Sequence, residues 1–297
     1  MTLPSRLFGC GTALVTPFAA DGRVDERALR ALVDWQIEAG VHFLVPCGST
    51  GEAATMTTAE HRRVVEIVVE QARGRVPVMA GAGSNDTAKA IALSREMRAA
   101  GATHLLHVSP MYNRPPQRGI IAHFRAIAEA TDLPIVIYNV PSRTGSNIEA
   151  RTTLALAEVP NILGVKEASG NLTQIMEILR GRPSHFAVLS GDDALTLPVM
   201  AAGGDGVISV ISNAAPGPVA QLVERCRDGD LTAARALNDR LAPLVHAAFI
   251  ESNPIPIKAA LAMMGKVQNV LRLPLVPLRD ELAGELRASL VAAGALS

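Results

Sequence analysis

Eight short apolar runs recur along the chain, and each is separated from the next by a segment with helical spacing. The runs are Thr12 to Thr16, Phe43 to Cys47, Val76 to Ala80, His104 to Ser109, Pro134 to Asn139, Ile162 to Lys166, Ala187 to Ser190 and Val207 to Val210. They are rich in Val, Ile and Leu without clean polar alternation, the pattern of strands covered on both faces in a parallel sheet. Between them, Asp25 to Ala39 carries apolar residues at Ala28, Leu29, Leu32, Val33 and Ile37, one face of a helix. Thr58-x-x-His61 and Asp86 start further helices, and Gly40 and Gly101 follow two helix ends. Repeated strand-helix units predict an α/β fold, a (β/α)8 TIM barrel. An open doubly wound sheet is the alternative, but Gly81-Ala82-Gly83 is not completed to the G-x-G-x-x-G of a dinucleotide fold.

After Val210 the alternation stops. Leu231 to Phe249 and Asp280 to Ala293 read as helices, and the prolines of Asn253-Pro254-Ile255-Pro256-Ile257-Lys258 launch another. The expected division is therefore a barrel over residues 1–225 carrying the active site and a C-terminal helical appendage over 226–297.

Composition narrows the class of function. With 48% apolar and 19% charged residues in 297, the chain is globular. Lys and Arg total 28 against 28 Asp and Glu, so no basic excess points to nucleic acid, and a small-molecule partner is expected. Cys10, Cys47 and Cys226 are odd in number and far apart, which suits a reducing compartment. Met1 to Gly9 has no apolar stretch of the signal-peptide kind, and no run of 18 apolar residues suggests a membrane span. These features predict a soluble, cytoplasmic protein.

Active groups in such a barrel come from the carboxyl ends of the strands. There the chain places Gly48-Ser49-Thr50-Gly51-Glu52, Ser109-Pro110-Met111-Tyr112-Asn113, Tyr138-Asn139-Val140-Pro141-Ser142-Arg143 and Lys166, groups expected to converge on one mouth. Lys166 ends an otherwise apolar strand. An amine moved out of water lowers its pKa and becomes a nucleophile, whereas a lysine that reaches solvent along its stem stays an ordinary cation. The only two tyrosines, Tyr112 and Tyr138, both fall on this rim, where a phenol can relay a proton. Gly48 to Gly51 offers two hydroxyls and mobile backbone for a small carboxylate, or simply a helix-capping turn; Arg143 can fork onto a second carboxylate, or lie exposed. His104 and His107, three apart on a strand, face opposite sides, and Asp192-Asp193 reads as a helix start, so no metal site is expected. No cofactor is needed either, because a protonated lysine imine is itself an electron sink.

Together with Tyr112-Asn113-Arg114-Pro115, Tyr138 to Gly145, Gly164 to Asn171 and Asn253 to Lys258, these motifs resemble the dihydrodipicolinate synthase (4-hydroxy-tetrahydrodipicolinate synthase) family of pyruvate-dependent, Schiff-base-forming aldolases, over nearly the whole chain. The resemblance implies an imine between Lys166 and pyruvate. Its enamine would attack aspartate-4-semialdehyde, and the adduct would cyclise to 4-hydroxy-tetrahydrodipicolinate on the diaminopimelate route to lysine. It also implies Tyr138 as proton donor and acceptor, Ser49 bonded to it, and Tyr112 completing the relay in a partner subunit's pocket. Thr50 would hold the pyruvate carboxylate, Arg143 that of the semialdehyde, and the carbonyls of Gly191 and Ile208 would line the pocket. The family is usually a homotetramer, a dimer of tight dimers.

Some positions depart from the family pattern. Ser49 replaces the usual threonine and gives the Gly-Ser-Thr-Gly-Glu form common in the related N-acetylneuraminate lyases. Lysine-sensitive members carry Glu, Tyr, Ser and His where this chain has Lys89, Met111, Ala53 and Thr58, and only His61 and Asn85 of that set remain. Lys89 would repel a cationic effector, so weak or absent inhibition by lysine is expected. The alternatives in function are a sister aldolase or lyase acting on sugar keto-acids, which Arg143 disfavours, and a non-catalytic ligand-binding barrel.

Overall fold

The computed structural model describes residues 7–296; residues 1–6 of the stretch read above for a leader lie outside them. Eight parallel strands, β1 (Gly9–Ala13), β2 (Phe43–Val45), β3 (Met79–Gly81), β4 (His104–Val108), β5 (Ile135–Asn139), β6 (Ile162–Glu167), β7 (Ala187–Ser190) and β8 (Gly206–Ser209), run in the order β2-β1-β8-β7-β6-β5-β4-β3. The ring closes where the Leu44 N–H donates to Pro77 O and the Gly81 N–H to Pro46 O, each at 3.0 Å. This is the (β/α)8 barrel expected.

Around it lie α1 (Glu26–Glu38), α2 (Thr58–Ala72), α3 (Thr87–Ala99), α4 (Gln117–Glu129), α5 (Pro141–Thr144), α6 (Ala150–Ala157), α7 (Leu172–Gly181), α8 (Thr196–Ala201) and α9 (Pro216–Arg227). The last of these runs two residues past the expected boundary at 225 and is followed by α10 (Leu231–Ala247), α11 (Ile255–Met263) and α12 (Asp280–Ala293). In α1, Leu29, Leu32, Val33 and Gln36 turn one stripe to the sheet, and the Asp25 carboxylate caps the Ala28 N–H. Helix α2 begins at Thr58, but its cap is one residue earlier. Thr57 and Glu60 form a reciprocal capping box, while His61 faces inward and bonds Gly81 O at 2.8 Å.

Two apolar layers result. Phe43, Val45, Met79, Leu106, Val136 and Ile208 fill the barrel, and the outward faces of the strands pack under the helices. The first strand lies three residues earlier than its apolar run suggested. Gly11 is needed there because a Cβ would stand 2.0 Å from the Phe43 ring, so the interior is filled across β1 by its neighbour's side chain. Glycine hides a strand from apolar periodicity.

Candidate active site

Register does the first work. Tyr138 on β5 pairs directly with Lys166 on β6, so both side chains enter the barrel at the same height. The Lys166 Nζ lies 4.3 Å from the Tyr138 ring centroid, and the residues are 5% and 7% exposed. Burial pushes the Lys166 amine down to about 8; the carboxylate of Asp193 opposes that fall, and the Arg143 cation adds to it. Burial pushes the Tyr138 phenol up to about 12, against the pull of Arg143. The pair is thus an amine readily freed of its proton beside a phenol that keeps its own. Gly191 makes room for the lysine stem, since a Cβ there would stand 3.0 Å from Lys166 Cγ and Cε.

Above them opens a cavity of about 1220 Å³, bordered by Ser49, Thr50, Tyr138, Arg143, Lys166 and Gly191 among others. The turn after β2 is closed by Gly51 N–H to Gly48 O at 3.0 Å and Glu52 N–H to Ser49 O at 3.2 Å. Within it Ser49 is exposed to the cavity and Thr50 is buried, its Oγ1 accepting from Asn253 Nδ2 at 2.9 Å. Arg143 stands on α5, started by Pro141, and its Nη2 donates to Asn253 O at 3.0 Å. One residue of the C-terminal part therefore tethers both anion-binding candidates.

Two of the expected site residues do not border this chain's own cavity. Tyr112 is 90% exposed and does not border the cavity, although Met111 does. A left-handed backbone at Tyr112 (φ +71°), fixed by its N–H to Thr144 O at 3.2 Å, turns the phenol away from its own barrel. Ile208 is fully buried in the barrel interior beside Tyr138 rather than at the cavity wall, where Val210 appears instead. The same cavity extends to Ala53, His61, Asn85 and Met111.

Sequence reasoning missed Asp193 and Asn253. Of the doubled acid after β7, Asp192 alone caps the following turn, its Oδ1 taking the Ala194 N–H. Asp193 is buried, bonded to Ser209 Oγ at 2.5 Å and to the Val210 N–H at 2.8 Å. A second acid where one cap suffices was the available signal. Among the described residues, no group of three or more His, Cys, Asp or Glu is placed to hold a metal ion, and no helix is long and apolar enough to cross a membrane.

Comparison with known proteins agrees with this geometry. Residues 6–293 match the profile of the Dihydrodipicolinate synthetase family. The chain belongs to that family. It is 52% identical to the 4-hydroxy-tetrahydrodipicolinate synthase of Koribacter versatilis over 98% of this chain and 97% of that one. The solved dihydrodipicolinate synthase of Acinetobacter baumannii, complexed with pyruvate, superposes with a TM-score of 0.96 at 41% identity over 97% and 99% of the two chains. That of Cyanidioschyzon merolae, with lysine bound, gives 0.95 at 42% identity over 98% and 100%.

Proposed function

We infer that this family member condenses pyruvate with L-aspartate-4-semialdehyde to give 4-hydroxy-tetrahydrodipicolinate, as a Schiff-base-forming lyase. The observation that carries the reading is the buried Lys166 amine, pushed down to about 8 by burial, against the neutral phenol of Tyr138. The neutral amine attacks the pyruvate keto carbon. The carbinolamine loses water to give an imine, which loses a methyl proton to become an enamine. The enamine carbon then bonds to the aldehyde carbon of the semialdehyde. Finally the semialdehyde's amino group attacks the imine carbon, closing the ring and releasing Lys166.

The proposed roles are as follows. Thr50 and the amides of its turn take the pyruvate carboxylate, and Arg143 takes that of the semialdehyde. Tyr138 moves protons to and from the adduct, with Ser49 bonded to it and Tyr112 of the partner subunit completing the relay. The carbonyl of Gly191 lines the pocket, with Ile208 buried below it in the barrel. The outward aim of Tyr112 supports a shared relay, and with it a homotetramer built as a dimer of dimers. Residues 1–225 carry the chemistry, residues 226–297 brace its loops, and the enzyme works in the cytoplasm. A lysine effector, though it binds the Cyanidioschyzon relative, meets Lys89, Met111, Ala53 and Thr58 in this chain; activity is expected to persist at millimolar lysine, and half-inhibition below that would contradict this.

The test is trapping. Incubation with pyruvate and borohydride should add one reduced pyruvate to the intact mass, and Lys166→Ala should abolish it; an adduct that survives the substitution would sink the mechanism. Turnover with aspartate semialdehyde, against N-acetylneuraminate and sugar keto-acids, then separates the synthase from its sister lyases.

A further inference from the structure

Behind the turn that carries Thr50 lies an ion pair cut off from water. The side chains of Glu52 and Lys258 are both 0% exposed, with Nζ 2.5 Å from Oε1. Glu52 Oε2 accepts the Arg272 backbone N–H at 3.1 Å, and Lys258 also donates to Val270 O at 2.6 Å. Phe18 lies against both cations, its centroid 4.1 Å from Lys258 Nζ and 4.4 Å from the Arg272 guanidinium. Arg272 in turn bonds the Glu60 carboxylate, Gly22 O and Thr55 O. The loops after β1 and β2 are thereby fastened to the segment after α11.

Stability alone does not account for this pair. Two charges taken out of water lose most of what their attraction returns, and apolar residues of the same volume would hold as well. Backbone geometry points the same way. Glu52 has φ +56°, a left-handed conformation that glycine adopts without strain and that costs other residues about 1–2 kcal/mol. A carboxylate is kept where glycine would relax the chain. What the carboxylate supplies is direction: its two oxygens fix the end of the Gly48–Gly51 turn against partners 206 and 220 residues distant.

We propose that Glu52 and Lys258 are positioning residues for the keto-acid carboxylate subsite, setting affinity for pyruvate by fixing the turn that presents Thr50. This rests on the reading that the turn receives the pyruvate carboxylate. Neither charged group meets solvent, so both act through the loop.

The test compares Glu52→Gln, Lys258→Met and the double variant in the full chain, measuring thermal midpoint, kcat and the KM of each substrate. Each single variant leaves one buried charge without its ion-pair partner and should lower the midpoint; the double variant leaves no buried charge and should recover most of the loss. The pyruvate KM should rise ~10- to 100-fold in Glu52→Gln and stay raised in the double variant, with kcat and the semialdehyde KM within about threefold of the parent. A pyruvate KM that recovers together with the midpoint would make the pair merely structural and overturn the proposal, as would a kcat falling as far as KM rises. If a single variant does not fold, the double variant decides by the same pyruvate KM. Failure of the parent chain to trap pyruvate with borohydride would overturn the proposed reaction and this inference together; trapping with an unchanged KM pattern would overturn this inference alone.

Discussion

Two buried aspartates mark the two ends of the barrel. At the amino end of β8, Asp205 is paired with the Arg182 guanidinium and takes the Val188 N–H at 2.8 Å. Arg182 also donates to Phe186 O at 3.0 Å and Gly203 O at 2.8 Å, so the carboxylate there sits in an ion pair braced by backbone carbonyls. At the carboxyl end of β7, Asp193 is held, among the described residues, by neutral donors, Ser209 Oγ and the N–H groups of Val210 and Ile211. Its charge is left to act on Lys166. The backbone divides likewise. Gly40, Gly101 and Gly203 carry the positive φ ahead of β2, β4 and β8, where no side chain is strained. Among the described residues, four of the five non-glycine positions with positive φ are Cys47, Glu52, Tyr112 and Arg114, in the loops leaving β2 and β4. Charge left without an ion-pair partner, and strained backbone, collect where substrate would enter, and the other end holds the fold together.

The sharpest way to break this contrast is to remove the amine. Lys166→Met keeps the volume and should cut turnover by about 10⁴-fold or more and abolish pyruvate trapping. Its effect on stability should run the other way. The Lys166 amine is pushed down to about 8 in the folded chain and returns to about 10.4 when unfolded. Between those values the unfolded state binds more protons, so stability rises with pH there, and below about 8 the folded state carries the full cost of a buried cation. A higher thermal midpoint for Lys166→Met at pH 7 is therefore expected; a lower one would mean that the lysine is structural.

Tyr138→Phe removes one oxygen and no packing. A fall in kcat of ~10² to 10⁴-fold is expected with the thermal midpoint nearly unchanged. Unchanged turnover would move the proton relay to another group. Arg182→Met probes the opposite end. It removes the guanidinium paired with the buried Asp205 carboxylate and should cost about 1.5–3 kcal/mol in denaturant unfolding. The folded fraction should keep the parent kcat and KM for both substrates, and altered catalysis there would dissolve the division between the two ends.

Legibility in the sequence follows the range of the interaction. Strands β2 and β4 to β8, and the helical character of the segments between strands, are readable because apolar spacing is local, whereas β3 begins three residues after its apolar run does. Strand β1 was misplaced because its packing partner, the Phe43 ring, lies on another strand. Lys166 and Tyr138 stood out as polar groups at the ends of apolar runs. The direction of Tyr112 was hidden, because a positive φ at one residue turns a side chain without altering any pattern. The bonds from Asn253 to Thr50 and from Lys258 to Glu52 join residues 203 and 206 positions apart, and no local spacing encodes them. Asp193 was visible as an acid, but its exclusion from the cap depended on Asp192 having taken that role.

Asp193 offers the smallest and most specific probe of the contrast. Initial rates of pyruvate trapping should rise with pH through about 8 and level off above it, as the Lys166 amine loses its proton. The Asp193 carboxylate favours the protonated amine, so removing its charge should move that rise to lower pH. Asp193→Asn keeps the shape and an acceptor for the Val210 N–H, while its amide can donate to Ser209 Oγ. A shift to lower pH with the trapping plateau and thermal midpoint nearly retained would mark Asp193 as the group that holds the amine closer to an ordinary lysine. A profile that stays in place while the midpoint falls would make it only the clamp of the β8 loop, and the two ends of the barrel would then differ in geometry but not in how they use charge.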